Sequence, residues 1–436
     1  MSDDVLTPMP TEGLCTDPKK AKYWQFEMLD LEVTRQFEVC HECRLCTEFC
    51  EVFPTLYTLV DEGHEGNVTM LTAGEVNDVM DACFQCKLCE VRCPYTPQKG
   101  HDYQLDLPKL VHRYKAVRAR EQGLTARDRM LGNPDALGQL ARSSGRLGRQ
   151  AKPGGLVRWA LATFMGIDRN SPLPDFAATS FEAWASNAGA TAKRSEPVGT
   201  VLFATCFVNN HRPEIGRDTL EVFDRNDIAC KVVTGAGCCG MPAWETGDYG
   251  RVRKLAETVL DRVHPHIENG AKLVVPNPTC ARMLRDAYPE LLDDPRTSAV
   301  AKAVVSPEEL LGERQQAGTL NTAFTQVPER IAYHTACHLC ARRIGRPGRD
   351  LLAQLPGTCI ETIESCCGQG GTYGMKAESA DTAMRVGAST IDAMIDAGAD
   401  VWVSECAGAS LAFEHGKGRK PEHPMTVLAK AYRGDR

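Results

Sequence analysis

Val201-Leu202-Phe203-Ala204-Thr205-Cys206 and Ile331-Ala332-Tyr333-His334-Thr335-Ala336-Cys337 open two copies of one pattern, offset along the chain by about 126 to 131 residues. Each opening is an apolar run of strand length that ends on a cysteine. The first copy continues through a helical stretch to Asn226, then Lys231-Val232-Val233, Gly237-Cys238-Cys239-Gly240, a second helix, and Leu273-Val274-Val275-Pro276-Asn277-Pro278-Thr279-Cys280. The second continues through a helix to Leu355, then Cys359-Ile360-Glu361-Thr362-Ile363, Cys366-Cys367-Gly368, a helix through Met394, and Val401-Trp402-Val403-Ser404-Glu405-Cys406. Short strands alternating with helices predict βαβ units with parallel strands, an α/β class. Loops that follow parallel strands gather at one sheet edge, where open α/β folds bind ligands. Cys206, Cys238, Cys239 and Cys280 are therefore expected at one spot, and Cys337, Cys366, Cys367 and Cys406 at a second. Soft thiolates in a crevice suit a soft metal or cluster, and the glycine lets backbone approach a bulky ligand. The plainer alternative is buried apolar cysteine; the repetition at strand ends argues against it.

Cys230 and Cys359 start the second strand of each copy and are expected in the core. Cys340 has no counterpart in the first copy, so it is a fifth ligand of the second site or a spare thiol. His334 and His338 bracket Cys337 and can bond cluster sulfur, relay a proton, or simply cap the loop. Gly235-x-Gly237-x-x-Gly240 matches the dinucleotide fingerprint. The second copy keeps only Cys-Cys-Gly, so the cysteines are the shared feature and nucleotide binding is set aside.

Upstream, the chain reads Cys40-x2-Cys43-x2-Cys46-x3-Cys50 and Cys83-x2-Cys86-x2-Cys89-x3-Cys93-Pro94. Three thiolates at that spacing cap three corners of a cubane, and the fourth ligand comes from the other run. Two [4Fe–4S] clusters are thus expected, one on Cys40, Cys43, Cys46 and Cys93, the other on Cys83, Cys86, Cys89 and Cys50. Paired zinc knuckles are the competing reading, but they leave the third and fourth cysteines of each run without a purpose. Glu51 stands after Cys50 where the motif has proline, which leaves the ligand count intact. Cys15 is isolated and uninformative.

The chain has 436 residues, 43% of them hydrophobic, enough for two or three cores. Its net charge of −7 argues against nucleic acid as a partner. Twenty cysteines without a signal-like start read as metal-bound thiols in a reducing cytoplasm, not as a disulfide scaffold. No stretch reaches the ~20 apolar residues of a membrane span; the nearest, Leu156 to Ile167, is short and interrupted by Arg158. Cysteine position predicts four parts: a ferredoxin-like module over 1–104, a cysteine-free linker over 105–196, and Cys-Cys-Gly repeats over 197–325 and 326–436. From Lys109 to Arg169 the linker carries a local excess of positive charge. Its helix with Lys109, Arg113, Lys115, Arg118 and Arg120 can face anionic lipid or an acidic partner, or solvent. The apolar Leu156, Trp159, Ala160 and Phe164 downstream tilt the reading towards a surface contact.

These features resemble the C-subunit family of anaerobic glycerol-3-phosphate dehydrogenases and, more broadly, the heterodisulfide-reductase-like cysteine-rich family. The resemblance covers most of residues 35–436. It is carried by Thr205-Cys206-Phe207-Val208-Asn209, Thr279-Cys280, Leu284-Arg285-Asp286-Ala287-Tyr288-Pro289-Glu290, Tyr333-His334-Thr335-Ala336-Cys337-His338, and Cys366-Cys367-Gly368 through Gly371-Thr372-Tyr373-Gly374. Phe53-Pro54-Thr55-Leu56 and Cys93-Pro94-Tyr95 look like the iron–sulfur proteins encoded beside rubrerythrins. The resemblance implies a subunit that takes electrons from a flavoprotein dehydrogenase and delivers them to membrane quinone, cytoplasmic and peripheral on the inner face of the membrane. It leaves room for one or two further iron–sulfur clusters in the repeats. The pattern departs at the family's final Cys-x2-Cys, which is Cys280-x2-Met283 and Cys406-x2-Ala409 here.

The expected function is an electron conduit between a flavin-dependent dehydrogenase, or another redox partner such as a rubrerythrin-like protein, and an acceptor. Nothing in the sequence offers a flavin fold of its own. Two alternatives stand beside it: a disulfide or peroxide reductase with a catalytic cluster in the Cys-Cys-Gly domains, and a zinc-stabilised interaction module.

Overall fold

The computed structural model describes residues 9–145, 154–193 and 197–435, which form two compact units. One is Met1–Thr125 with Trp244–Tyr249; the other is Ala126–Ala243 with Gly250–Arg436. No helix among the described residues is long and apolar enough to cross a membrane.

The first unit is helical. Its main helices are Phe26–Cys43, Val52–Thr58, Ala73–Asp81 and Leu107–Gln122. Leu29, Val33 and Phe37 recur at helical spacing on the first, and Leu110, Val111, Tyr114 and Val117 on the last; both stripes meet in one core. Start signals are explicit. The Asp106 side chain accepts from Lys109 N at 3.0 Å, and Thr72 with Glu75 forms a capping box.

The basic residues of helix Leu107–Gln122 do not form the outward stripe that the sequence allows. Arg113 is buried, and its guanidinium donates to the carbonyls of Gly13, Lys22 and Tyr23. Arg118 pairs with Asp81, and Arg120 lies over the Trp24 ring at 5.0 Å. Charge counted along a sequence does not reveal partners supplied from far away in the chain.

The second unit contains two parallel sheets flanked by helices. Strands β1 (Thr200–Phe203), β2 (Lys231–Val233), β3 (Lys272–Val274) and β4 (Val304–Val305) run in the order β2-β1-β3-β4. Strands β5 (Arg330–His334), β6 (Cys359–Ile363) and β7 (Val401–Val403) run β6-β5-β7. In the second sheet a single parallel bridge, Val403 to Glu422, stands where the first has β4. In both, the opening strand is central and its successors flank it, so a switch point falls where the cysteines follow the strands. Leu202, Val232 and Val274 share one core with Ile331, Tyr333 and Val403, so the repeats are packed together.

Two core expectations divide. Cys230 is half-buried against that core, and burial pushes its thiol up to about 12. Cys359, at the start of edge strand β6, is exposed, whereas the outer edge of β2 pairs with the segment at Ala190–Ala192, with Val232 N donating to Ala190 O at 2.8 Å.

A buried acid pair lies between the repeats. Glu308 is pushed up to about 8 by burial first and by the charge of Glu405 second. A carboxyl raised in the folded state holds a proton that the unfolded chain releases. Its support is complete below the unfolded value and is lost as pH rises through the folded one. Glu308→Gln is expected to melt above the parent protein at about pH 9 and together with it at about pH 4.5, by calorimetry at both pH values.

Candidate iron–sulfur sites

Helix Phe26–Cys43 carries Cys40 and Cys43 in its last turn and ends at Arg44, in the left-handed region at φ 51°. The reversal brings Cys46 back beside them. Cys93 arrives from the second run, at the end of helix Leu88–Arg92. Cys40, Cys43, Cys46 and Cys93 line one recess with Val39, Phe53, Tyr57 and Leu105 as apolar wall. Burial, then the neighbouring charges of Cys93, Cys46 and Cys43, pushes the Cys40 thiol far up. Burial and Cys93 push Cys46 up to about 12. Buried thiols held side by side ionise together only around a compensating cationic group.

The second run forms the complementary set. Cys89 is pushed up by burial and then by Cys83 and Cys50 ahead of the more distant thiols. Gln85 and Lys87 take φ of 58° and 63°, so the loop curls between its cysteines. Gln85 N and Nε2 donate to the Cys83 sulfur at 3.4 and 3.5 Å. The structure thus places Cys93 in the recess of the first run.

In the first repeat, Cys206 follows β1 behind Thr205, itself at φ 60°. Cys238-Cys239-Gly240 follows β2, and Cys280 lies on helix Pro278–Arg282 after β3. Asn277 caps that helix, accepting from Thr279 N at 2.9 Å. The sulfurs of Cys239 and Cys280 are 3.2 Å apart. Hydrogen bonds from Cys206 and then Cys239 hold Cys238 well below the usual thiol range, and Gly240 N donates to the same sulfur at 3.3 Å. All four predicted thiols come together.

Sequence reading misses two carboxylates that brace this loop from the cysteine-free segment. Glu182 accepts from Gly235 N at 3.0 Å. Asp135 accepts from the backbone at Cys238 and from Asn210 Nδ2, and burial followed by the charge of Cys238 pushes it up to about 6. No sequence spacing marks either one. They also dispose of the dinucleotide motif, since a phosphate on this loop would face two carboxylates.

The second repeat gathers Cys337 at the start of helix Cys337–Arg342, the Cys366-Cys367-Gly368 loop, and Cys406 capping helix Ala407–Lys417. A hydrogen bond from Cys367 is the main cause that lowers Cys406 to about 7, and Ala409 N donates to its sulfur at 3.4 Å. His334 touches backbone and hydroxyl here. Its Nε2 donates to Ser365 O at 3.0 Å, which leaves Nδ1 to accept from Ser404 Oγ at 2.9 Å. It therefore ties together the two loops that carry Cys366 and Cys406. Arg282 Nη1 donates to His338 Nε2 at 3.1 Å, so Nδ1 carries the proton given to Thr279 Oγ1 at 2.8 Å. His338, next to Cys337, is thereby fixed to the residues on either side of Cys280.

The two Cys-Cys-Gly glycines are not interchangeable. A Cβ on Gly368, at φ 78°, would meet Ala383 O at 2.0 Å and Gly387 N at 2.7 Å, both backbone. At Gly240, φ 89°, the nearest atom is a Val252 methyl at 3.5 Å. Gly240→Ala is expected to lose only the left-handed strain of about 1–2 kcal/mol. Gly368→Ala is expected to lose well beyond that, read as a larger fall in denaturation midpoint.

Among the described residues, no three or more His, Cys, Asp or Glu are grouped to chelate one metal ion. The N-terminal thiols stand around a recess. Apolar walls, inward N–H groups and mutually raised thiols fit an iron–sulfur cluster.

Comparison with known proteins agrees. Residues 33–123 match the citrate utilization protein B Fer4-like domain, and residues 200–285 and 331–414 each match the cysteine-rich (CCG) domain. Lactate utilization protein A of Shouchella clausii is 31% identical over 40% of this chain and 74% of its own. This chain belongs to the cysteine-rich CCG family. Over a longer span the CCG protein is 28% identical to the C subunit of anaerobic glycerol-3-phosphate dehydrogenase from Escherichia coli K12, covering 91% of this chain and 98% of that protein. Lactate utilization protein A of Exiguobacterium sp. is 26% identical over 52% of this chain and 93% of its own. A crystal structure of a hypothetical protein from Helicobacter pylori aligns with a TM-score of 0.37 at 13% identity, over 88% of this chain and 77% of that one. The CCG protein is an iron–sulfur-binding chain with an α/β architecture behind a helical Fer4-like domain.

Proposed function

We propose that this CCG protein relays single electrons from a flavin-dependent dehydrogenase to membrane quinone. Two [4Fe–4S] clusters would lie on Cys40, Cys43, Cys46 and Cys93 and on Cys83, Cys86, Cys89 and Cys50. Further clusters would lie on Cys206, Cys238, Cys239 and Cys280 and on Cys337, Cys366, Cys367 and Cys406. When bound, such clusters supply reversible one-electron chemistry. The single observation that carries the reading is the recess in which Cys93 of the second run stands with Cys40, Cys43 and Cys46 of the first. The chain's own part is to hold thiolates in dry recesses and to fix each loop with N–H donors, which tunes potential. The relative named as a dehydrogenase C subunit supports a flavoprotein donor; a rubrerythrin-like partner is the other arrangement. The domain division at 104, 196 and 325 then separates electron entry from the repeats.

Contact with the cytoplasmic face of the membrane has a physical candidate in helix Leu156–Met165. Leu156 is 85% exposed, Phe164 74% and Trp159 51%, while Arg158 is turned inward onto Ser171 O at 2.7 Å. Leu156→Asp with Phe164→Asp is expected to abolish flotation with anionic phospholipid vesicles and leave the clusters intact. Unchanged flotation would remove the helix from the account.

Isolated anaerobically with its native partners, the protein is expected to bring a flavin dehydrogenase with it. Glycerol 3-phosphate or lactate should then bleach the cluster absorbance, and a quinone analogue should restore it. Clusters reducible by dithionite yet untouched by the dehydrogenase and its substrate would refute the relay.

A further inference from the structure

The helix with the exposed apolar residues is tied by its end to one of the two CCG cysteine sites. Helix Leu156–Met165 stops at Gly166, and Gly166, Ile167 and Asp168 then run along the loop that leaves Cys366-Cys367-Gly368. Ala377 N donates to Gly166 O at 3.0 Å, Asp168 N donates to Met375 O at 3.0 Å, and buried Ile167 bridges Lys376 between them. Side chains lock the seam. Arg127 Nη1 donates to Gly166 O at 3.1 Å and to Glu378 at 2.9 Å, and Lys376 Nζ donates to Asp128 at 2.9 Å.

From that seam the loop returns to the sulfurs in one tight turn. Gly374 N donates to Gln369 O at 2.9 Å. The buried Gln369 side chain lies against the turn that follows Cys406: a Cβ on Gly408 would meet Gln369 Cβ at 3.3 Å and the Cys406 sulfur at 3.6 Å. An unbroken series of contacts, from Cys406 through Gln369, Gly374 and Met375 to Asp168, therefore holds the apolar helix beside the second site.

The first site is covered instead by helix Pro134–Ser143, where a Cβ on Gly237 would meet Asp135 Oδ2 at 3.1 Å. Cys238, Cys239 and Cys280 are buried there. In the second repeat only Cys367 is buried, and Cys337, Cys366 and Cys406 are half-buried. The more open site is thus the one fastened to the helix whose Leu156, Trp159 and Phe164 face solvent. Apolar and tryptophan side chains of this kind seat a helix at a lipid surface, and Arg169, exposed just past its end, suits anionic headgroups.

We infer that electrons leave the chain from the second repeat, at the rim formed by loop 369–376, to a quinone dissolved in an anionic phospholipid membrane in which helix Leu156–Met165 is seated. This exit rests on the electron relay to membrane quinone proposed above, and it names the repeat that performs the last transfer. The reduced flavin of the dehydrogenase gives up two electrons, which leave one at a time. With two protons from water at the membrane surface they convert the quinone to its quinol. Transfer falls off steeply with distance, so the open site held at the lipid surface has the shorter gap to cross.

The test is photolabelling of the full, anaerobically isolated protein on anionic phospholipid vesicles with an azidoquinone, read by peptide mass spectrometry. Peptides covering 156–165 and 369–378 are expected to carry label, and excess unlabelled quinone should remove it from 369–378. The first-repeat peptide 234–241 should stay clean. A 369–378 peptide without competed label would overturn the inference, whether the label goes to 234–241, to the N-terminal cysteine runs, or only to 156–165 as a collision within the lipid. The relay is read separately on the same preparation. Cluster absorbance that the dehydrogenase substrate still bleaches and quinone still restores would leave the relay standing with a different exit, whereas failure of that cycle would remove the relay itself.

Discussion

Replacing Cys93 with alanine is expected to strip iron from the other run's cysteines. Cys93 lies in the recess of Cys40, Cys43 and Cys46, although 47 or more residues separate it from them in sequence. Iron in the N-terminal module should fall from about eight to about four per chain. Alkylation should then reach Cys40, Cys43 and Cys46, while Cys83, Cys86, Cys89 and Cys50 stay protected. Cys50→Ala should give the mirror image, because the interleaved arrangement assigns Cys50 to the second cluster. Self-contained runs, each keeping its own four cysteines, would give the opposite labelling. That outcome would replace the interleaved arrangement with two independent sites, and with it the zinc-knuckle reading would return.

The second large effect is on stability. Arg113 is 1% exposed and satisfies three backbone carbonyls, at Gly13 (2.7 Å), Tyr23 (2.8 Å) and Lys22 (2.9 Å). Arg113→Met keeps much of the apolar stem and removes every one of those donors. Buried carbonyls left without partners lose both bond and solvation. The expected destabilisation is about 3–5 kcal/mol, in the range of a broken buried charged contact. It should be read as a lower denaturant midpoint for the helical unit. Arg120→Met, on an exposed part of the same helix, should shift it by well under about 1 kcal/mol. Equal shifts would mean that the guanidinium of Arg113 does not hold the segment from Gly13 to Tyr23.

These two residues also show what a sequence does and does not reveal. Cysteine spacing is local chemistry, and the place of Cys93 beside Cys40, Cys43 and Cys46 is legible from it, because a run of this ferredoxin-like spacing takes its fourth ligand from the other run. The strands are legible too: β6 is Cys359–Ile363, as the β-branched run suggests. Arg113 is not, since its partners lie about ninety or more positions away and nothing nearby distinguishes it from Arg118 or Arg120. Asp135 and Glu182 are hidden for the same reason. Each braces a loop of the first repeat from a segment whose composition advertises only positive charge. Cys359 misleads because β2 and β6 are both edge strands, and position within a repeat does not tell that the segment at Ala190–Ala192 covers β2. His334 stands out beside Cys337, but its work is to join Ser365 and Ser404, and that is a property of three loops meeting.

Iron content and low-temperature EPR of the anaerobically purified, full-length chain test the central claim most directly. About eight irons in the N-terminal module, with paired cubane signals on reduction, is the predicted result. A colourless protein free of iron, or one that holds zinc at Cys40, Cys43, Cys46 and Cys93, would contradict it.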